Sequence, residues 1–142
     1  MIRYSRAPEL EVAVKEIVLR LGLTHIDPRR VSCVRSKGSE ASRTMARIHG
    51  LPRLWQFALG TKACYVMEVV SERFDILNRE EQEKTIIHEL LHIPASFGGG
   101  FRHHRGWVDR QRVERVYKML QESRRLGSSY PMKKGFRTRG SP

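Results

Sequence analysis

The sequence has little cysteine, no long hydrophobic run and a shortage of acidic residues. It contains two cysteines, Cys33 and Cys64, which are too few for a disulfide framework and form no CxxC motif for zinc or redox chemistry. No apolar run reaches the roughly 20 residues that cross a bilayer, and the N-terminus lacks the apolar core of a signal peptide. These absences predict a cytoplasmic protein with no membrane partner, in which both cysteines are small core residues of strands.

The shortage of acid gives the chain a strong positive charge. The sequence has 15 Asp and Glu residues and 27 Lys and Arg residues, so the formal net charge is +12. Residues 102–142 carry 12 of the basic residues and only 3 of the acidic ones. An excess of this size favours polyanionic partners. The last segment, residues 127–142, has no acid, is rich in Gly, Pro and Ser, and interleaves Tyr130 and Phe136 with basic residues. It predicts a flexible basic tail that could contact nucleic acid.

The remaining residues, 1–126, are expected to form one domain, since 39% hydrophobic composition suffices for a single core. Apolar periodicity predicts a first helix over Pro8–Leu23 and a short strand over Val31–Arg35. Two apolar runs between residues 46 and 60, separated by Gly-Leu-Pro, suggest a hairpin. The alternating residues Tyr65–Val70 are the clearest strand.

Two further helices are expected in the second half of the domain. Asn78 can cap a helix that runs to about Ile93 and stops before Pro94. Residues Trp107–Arg125 have the pattern of an amphipathic helix. The predicted fold class is therefore α+β, with an N-terminal helix, a small, mostly antiparallel sheet and two later helices. Four aromatic residues are expected to pack in the core: Trp55, Phe57, Tyr65 and Trp107.

The first of these later helices carries an HExxH motif, residues His88-Glu89-Leu90-Leu91-His92. Residues four apart lie on one face of a helix, so both imidazoles can reach one metal ion. Glu89 lies beside them and can take a proton from a metal-bound water. The motif thus predicts His88 and His92 as zinc ligands and Glu89 as the catalytic base.

A catalytic zinc needs a third protein ligand and one open position. The metzincin spacing would place a histidine six residues after His92, but that position is Gly98. A downstream carboxylate, from Glu114 or Asp109, would suit another zincin class. The pair His103-His104 suits zinc better, because the preceding Ser-Phe-Gly-Gly-Gly turn lets the chain reverse toward the helix. Of the two histidines, His104 is favoured.

The chain resembles a family of archaeal metallopeptidases with a zincin-like core, over Arg35 to about Val116. The strings that carry the resemblance are RSKGS, ARIHGLPRLWQFALG, YVMEVVSERFDILN, HELLHIP and FGGGFRHHRGWV. In that family the histidine after the Gly-Gly turn is the third ligand and aligns with His104, whereas relatives have proline at the position of His103. A looser likeness to SprT-like or Spartan proteases makes Trp107 the aromatic residue that follows the third histidine, and would select His103 instead.

The expected function is zinc-dependent hydrolysis of peptide bonds in a peptide or protein substrate. His88, His92 and His104 would hold Zn²⁺, and Glu89 would pass a proton from the zinc-bound water to the leaving amine. The strand Tyr65–Val70 is expected to be a sheet edge along which an extended peptide lies. Two alternatives remain open: a nucleic-acid-associated protein with a structural or degenerate zinc site, and a SprT-like protease tethered to DNA by the basic tail.

Overall fold

The computed structural model describes residues 1–40, 42–104 and 106–127, and these contain four strands and five α-helices. The strands are β1 (Arg3–Arg6), β2 (Val31–Lys37), β3 (Ala46–Gly50) and β4 (Tyr65–Val70). The helices are α1 (Pro8–Leu21), α2 (Arg53–Leu59), α3 (Ser71–Phe74), α4 (Arg79–Leu91) and α5 (Arg110–Arg125). The predicted tail lies outside the described residues, apart from Gly127.

The strands form a mixed sheet in the order β1-β2-β4-β3. The pairs β1–β2 and β3–β4 are antiparallel, and β2–β4 is parallel. The predicted α+β class with a small, mostly antiparallel sheet is therefore confirmed. The expectation that β4 is a sheet edge is wrong, because β4 pairs on both sides; its buried, β-branched sequence is typical of a central strand. The edges are β1 and β3.

The hydrophobic core lies between one face of the sheet and the helices α1, α4 and α5. Alternate residues of β4 point toward these helices, since side chains alternate between the two faces of a strand. The core cluster includes Val14, Ile17, Leu21, Cys33, Tyr65, Met67, Val69, Ile86, Ile87, Leu90 and Leu120. Cys33 is buried as predicted, whereas Cys64 is half-buried just before β4.

Side-chain caps and ion pairs fix the two helices that follow the sheet. Asn78 caps α4 as predicted, its side chain accepting the backbone N–H of Glu81 at 2.9 Å. Asp109 caps α5 in the same way, accepting the N–H of Arg112, so α5 begins later than the sequence pattern suggested. Arg124 at the end of α5 then contacts both α1 and α4, through Glu16 and Glu83. These contacts hold α4 rigidly against its neighbours.

The predicted hairpin between residues 46 and 60 is wrong in its second half. After β3 the chain forms α2, with Pro52 at the N-cap and Gly60 in a left-handed C-cap conformation. Proline has no N–H for a strand ladder and suits a helix start, and the residues after it are good helix formers. Trp55 and Phe57 on this helix are also not core residues, since they are 56% and 86% exposed.

Among the described residues, no helix is both long enough and apolar enough to cross a membrane.

Candidate metal centre and active site

The HExxH segment lies at the buried C-terminal end of α4. Ile86, Ile87 and Leu90 pack into the core on one side of the helix, so the opposite side faces a cleft. His88 is half-buried there, and His92 is buried at the residue that caps the helix. The ring centroids of the two histidines are 5.1 Å apart. The helix therefore presents two imidazoles from a packed support, as the motif predicts.

A third imidazole, that of His104, joins this pair from the loop after α4. One ligand nitrogen from each of His88, His92 and His104 lies within 4.8 Å of the others. The Nε2 atoms of His88 and His104 are 3.2 Å apart. Zinc–nitrogen bonds of 2.0–2.1 Å in a tetrahedron would separate two ligands by about 3.3 Å. The three side chains thus fit a zinc ion with three nitrogen ligands.

Two hydrogen bonds hold His92 against the loop that follows α4. The backbone N–H of Arg102 donates to the His92 carbonyl at 2.7 Å. In return, Nδ1 of His92 lies 2.8 Å from the Arg102 carbonyl oxygen. A carbonyl oxygen can only accept, so Nδ1 carries the proton and Nε2 keeps its lone pair. This is the outer-shell contact that commonly orients a metal-binding histidine.

The glycine turn of this loop is fixed against the sheet and α2. The Tyr65 hydroxyl donates to the Gly100 carbonyl at 2.8 Å and accepts the Gly99 N–H at 2.9 Å. Gln56 of α2 donates to the Gly98 carbonyl at 2.9 Å. A Cβ on Gly50 would lie 2.2 Å from the Gly99 carbonyl oxygen. The turn is therefore a close backbone contact rather than a loose linker, and it sets where His104 lies.

Burial favours the neutral form of His88 and His92, which is the form that binds metal. Burial, and then the proximity of His92 and His104, lowers the pKa of His88 to about 4. Burial also lowers the pKa of His92, although the Arg102 carbonyl opposes this shift. Metal binding at neutral pH therefore has little competition from protons at these two nitrogens.

Glu89 occupies a buried position beside the three histidines. Its carboxylate lies 3.9 Å from the Nε2 of His88. Burial raises the pKa of Glu89 to about 7 in the metal-free protein, and a hydrogen bond from the backbone of Ile48 opposes the rise. A nearby dication would favour the carboxylate and lower this pKa. A carboxyl group with these properties can accept and release a proton near neutral pH.

The site opens into a cleft of about 1070 Å³ between β3, α4, α5 and the loop after α4. The Met45 carbonyl accepts the Val70 N–H, and the Leu51 N–H donates to the Cys64 carbonyl. Backbone groups alternate in direction along an antiparallel strand, so those of Ala46 and Ile48 are directed away from β4. The bond between Ile48 and Glu89 agrees with this direction. Both Ala46 and Ile48 line the cleft, which makes β3 the sheet edge that faces the metal centre.

The other proposed third ligands are placed differently. His103 is exposed and lines the cleft, but it is not part of the histidine cluster. Glu114 forms an ion pair with Lys84 at 2.9 Å, and Asp109 caps α5. Upstream, His49 pairs with Glu68 and His25 contacts the Ile93 carbonyl. The structure therefore brings His104, rather than His103 or a carboxylate, to the HExxH pair.

Four groups contribute to the site in ways that were not predicted from the sequence. The Arg102 carbonyl and the Ile48 N–H are backbone groups, which have no residue-type signal. Tyr65 was expected to be a core residue; it is buried, but its hydroxyl also holds the glycine turn. Trp107 stacks on the Arg102 guanidinium at 4.5 Å from ring centroid to Cζ. It therefore supports the loop that carries His104.

Comparison with known proteins gives one family match. Residues 2–125 match a family model described as "Putative phage metallopeptidase". No curated protein and no solved structure matches the chain.

Proposed function

We propose that this chain, which belongs to the family described as "Putative phage metallopeptidase", is a zinc-dependent peptidase that acts at His88, His92 and His104. The observation that carries the proposal is the convergence of three histidine nitrogens within 4.8 Å, with a buried carboxyl group beside them at one wall of an open cleft. The family membership supports a metallopeptidase activity, and the donor set supports the choice of zinc.

The three histidines would bind the metal through neutral imidazole nitrogens. His92 is held in one tautomer by the Arg102 carbonyl, and the HExxH helix and the glycine turn position the other two. Three nitrogen ligands leave one position of a tetrahedral site open, as catalytic zinc requires. When bound, zinc supplies a Lewis acid that polarises the scissile carbonyl and makes water a stronger acid.

Glu89 would act as the general base and then as the general acid. Its carboxylate takes a proton from the attacking water and gives it to the amine that leaves. The burial that raises its pKa helps Glu89 to hold this proton between the two transfers. The Ile48 N–H fixes the carboxyl orientation while the proton moves.

The substrate would lie in extended form along β3. The Ile48 N–H is bonded to Glu89, but the Ile48 carbonyl and the backbone groups of Ala46 are also directed toward the cleft. An extended peptide could pair with these groups as an added strand. This position would bring the scissile carbonyl next to the three histidines. The expectation of a sheet edge for the substrate is therefore kept, but transferred from β4 to β3.

The proposal is tested by comparing wild-type protein with Glu89→Gln at equal zinc occupancy. Glutamine preserves size but cannot take a proton, so hydrolysis of a peptide library should fall by roughly 10²–10⁴-fold while zinc stays bound. Glu81→Gln is the matched control, because Glu81 lies on the same helix and lines the same cleft. It should retain near-wild-type activity.

Two results would contradict the proposal. One is a zinc-loaded, folded wild-type protein that cleaves nothing across a broad peptide and unfolded-protein library. The other is cleavage that Glu89→Gln does not reduce, which would assign the activity to another protein in the preparation.

A further inference from the structure

Helix α2 presents its apolar side to solvent, which is the reverse of an ordinary surface helix. At about 100° per residue, Leu54, Trp55, Phe57 and Leu59 share one broad side with Ala58, and Arg53 and Gln56 share the other. Gln56 faces the protein body, donating to the carbonyls of Leu51 and Gly98. The four large apolar side chains are 75%, 56%, 86% and 63% exposed in chain order. We call these four residues the α2 ridge.

The ridge is convex and held in a fixed orientation. Six of the seven residues of α2 are exposed, and a Cβ added at Gly60 would meet nothing within 4 Å. The two hydrogen bonds of Gln56 nevertheless anchor the helix beside the glycine turn. A convex apolar surface of this kind inserts into a partner rather than receiving a peptide in a groove.

Positive charge lies at both ends of the ridge. Residues 41–67 contain no Asp or Glu; of their four basic residues, Arg43 and Arg47 line the cleft of the metal centre, and Arg53 and Lys62 flank the ridge. Arg53 begins α2, and Lys62 follows its C-cap, so the two cations lie at the ends of the ridge. An exposed Trp with Leu and Phe between basic residues is the composition that binds at the interface of an anionic bilayer.

A second copy of the chain suits the ridge less well. Two copies with a net charge of +12 each repel one another. Even at about 250 Å² for each of the four side chains, which are 56–86% exposed, the accessible area falls short of the roughly 800 Å² per partner that stable interfaces bury.

We propose that the α2 ridge binds peripherally to an anionic membrane surface. Leu54, Trp55, Phe57 and Leu59 enter the headgroup region, and Arg53 and Lys62 contact anionic headgroups. This contact would place the metal centre close to the bilayer, because α2 is bonded to the turn that positions His104. The expectation of no membrane partner was based on the lack of long apolar runs. The exposed ridge is a structural feature that composition did not show.

The test uses the wild-type chain and vesicles of phosphatidylcholine and phosphatidylglycerol in a roughly 3:1 ratio, with pure phosphatidylcholine vesicles for comparison. Trp55 fluorescence should shift to shorter wavelength with the anionic vesicles, and the shift should be absent in Trp55→Phe. In co-sedimentation, Leu54→Ser/Phe57→Ser should reduce partition at least about tenfold. Ile76→Ser is the matched control, because Ile76 is 81% exposed and follows the end of β4, whereas α2 follows Gly50, which pairs with the first residue of β4. This variant should bind like wild type. Equal denaturation midpoints would show that the variants fold.

Three outcomes would overturn the proposal. The first is no Trp55 shift and no sedimentation with anionic vesicles. The second is vesicle binding that the double variant leaves unchanged, which would place the lipid contact elsewhere on the basic chain. The third is a Trp55 shift that grows with protein concentration without lipid, which would make a second copy the occupant of the ridge.

Discussion

His103 and His104 are sequence neighbours with different surroundings. His104 lies with His88 and His92 in one cluster, and its ring centroid is 4.5 Å from that of His92. Both residues are exposed and line the cleft, but only the His104 ring nitrogen lies with those of His88 and His92. His104 also begins a turn, since its carbonyl accepts the N–H groups of Trp107 and Val108.

Replacing each histidine separately should distinguish them. His104→Ala removes one of the three proposed nitrogen ligands and should weaken zinc binding at least about 100-fold. His103→Ala should change zinc affinity little. Competition with a zinc chelator of known affinity measures both. The reverse ranking of the two variants would transfer the ligand role to His103.

At the residue scale, the sequence predicted which side chains form the site but not which backbone groups contact them. The HExxH spacing is a property of an α-helix, so His88, Glu89 and His92 could be placed together from the sequence alone. His104 was favoured over His103 partly through a family resemblance. The Arg102 carbonyl and the Ile48 N–H could not be predicted, because every residue has these groups and only the fold determines which ones approach the site.

At the scale of secondary-structure elements, the site depends on contact between the end of β3 and the glycine turn after α4. Gly99 has φ of +102°, and a Cβ there would lie 2.3 Å from the Leu51 carbonyl oxygen. In the same way, a Cβ on Gly50 would lie 2.2 Å from the Gly99 carbonyl oxygen. Two backbone segments can approach this closely only without side chains.

Alanine at either glycine should disturb both stability and metal binding. Gly50→Ala and Gly99→Ala force the segments apart, which should cost roughly 1–3 kcal/mol of unfolding free energy. The displaced turn should also lower zinc affinity. Gly100→Ala is the control, since a Cβ there would meet nothing within 4 Å. Urea unfolding and zinc titration measure the effects; equal behaviour of all three variants would contradict the proposed contact.

Helix α5 is tied to α1 and α4 by Arg124. Its guanidinium contacts Glu16 at 2.7 Å and the mostly buried Glu83 at 2.6 Å. The hydrogen bond from Arg124 is the main cause of the lowered pKa of Glu16. A lowered carboxyl pKa stabilises the fold above the unfolded-state pKa, and this contribution is lost as the pH falls through the folded-state pKa.

Arg124→Ala should therefore destabilise the protein by roughly 1–3 kcal/mol at neutral pH, because it leaves the mostly buried Glu83 carboxylate with only the exposed Arg79 at 3.6 Å as a partner. The difference from wild type should shrink as the pH falls below the ordinary carboxyl pKa of about 4.3, because the contribution of Glu16 is lost as the pH falls through its lowered folded-state pKa. Arg125→Ala is the adjacent control, since its pair with Glu122 is exposed and should contribute little. Denaturant unfolding at neutral and low pH measures the difference in unfolding free energy between wild type and Arg124→Ala. If this difference were equally large at low pH, the ion pairs would not be its cause.

Elements whose apolar residues recur with a clear period and are buried were predicted well. Helix α2, whose apolar residues are exposed, and the short strand β1 were not. The strand Tyr65–Val70 and the Asn78 cap agree with the sequence, because burial and capping each need particular residue types. Helix α2 was predicted as a strand because its apolar residues suggested burial, whereas the structure exposes them. The four-residue strand β1 carried no apolar alternation, and its pairing with β2 depends on residues far along the chain.

At the scale of the whole molecule, the described residues join a helix-supported metal centre to an open cleft. The cleft is lined by both signs of charge, with Glu114 and Lys84 paired across α4 and α5. The basic tail, residues 127–142, lies almost entirely outside the described residues. Its contact with nucleic acid, and tethering to DNA through it, therefore stay predictions that the fold does not address.

The most direct test of the account is the activity of metal-free protein as zinc is added back. The three-histidine site predicts that the apo protein cleaves no peptide, and that the rate rises with zinc until about one equivalent per chain is bound. A rate that is unchanged by zinc removal, or that shows no rise when one equivalent has bound, would contradict the central claim.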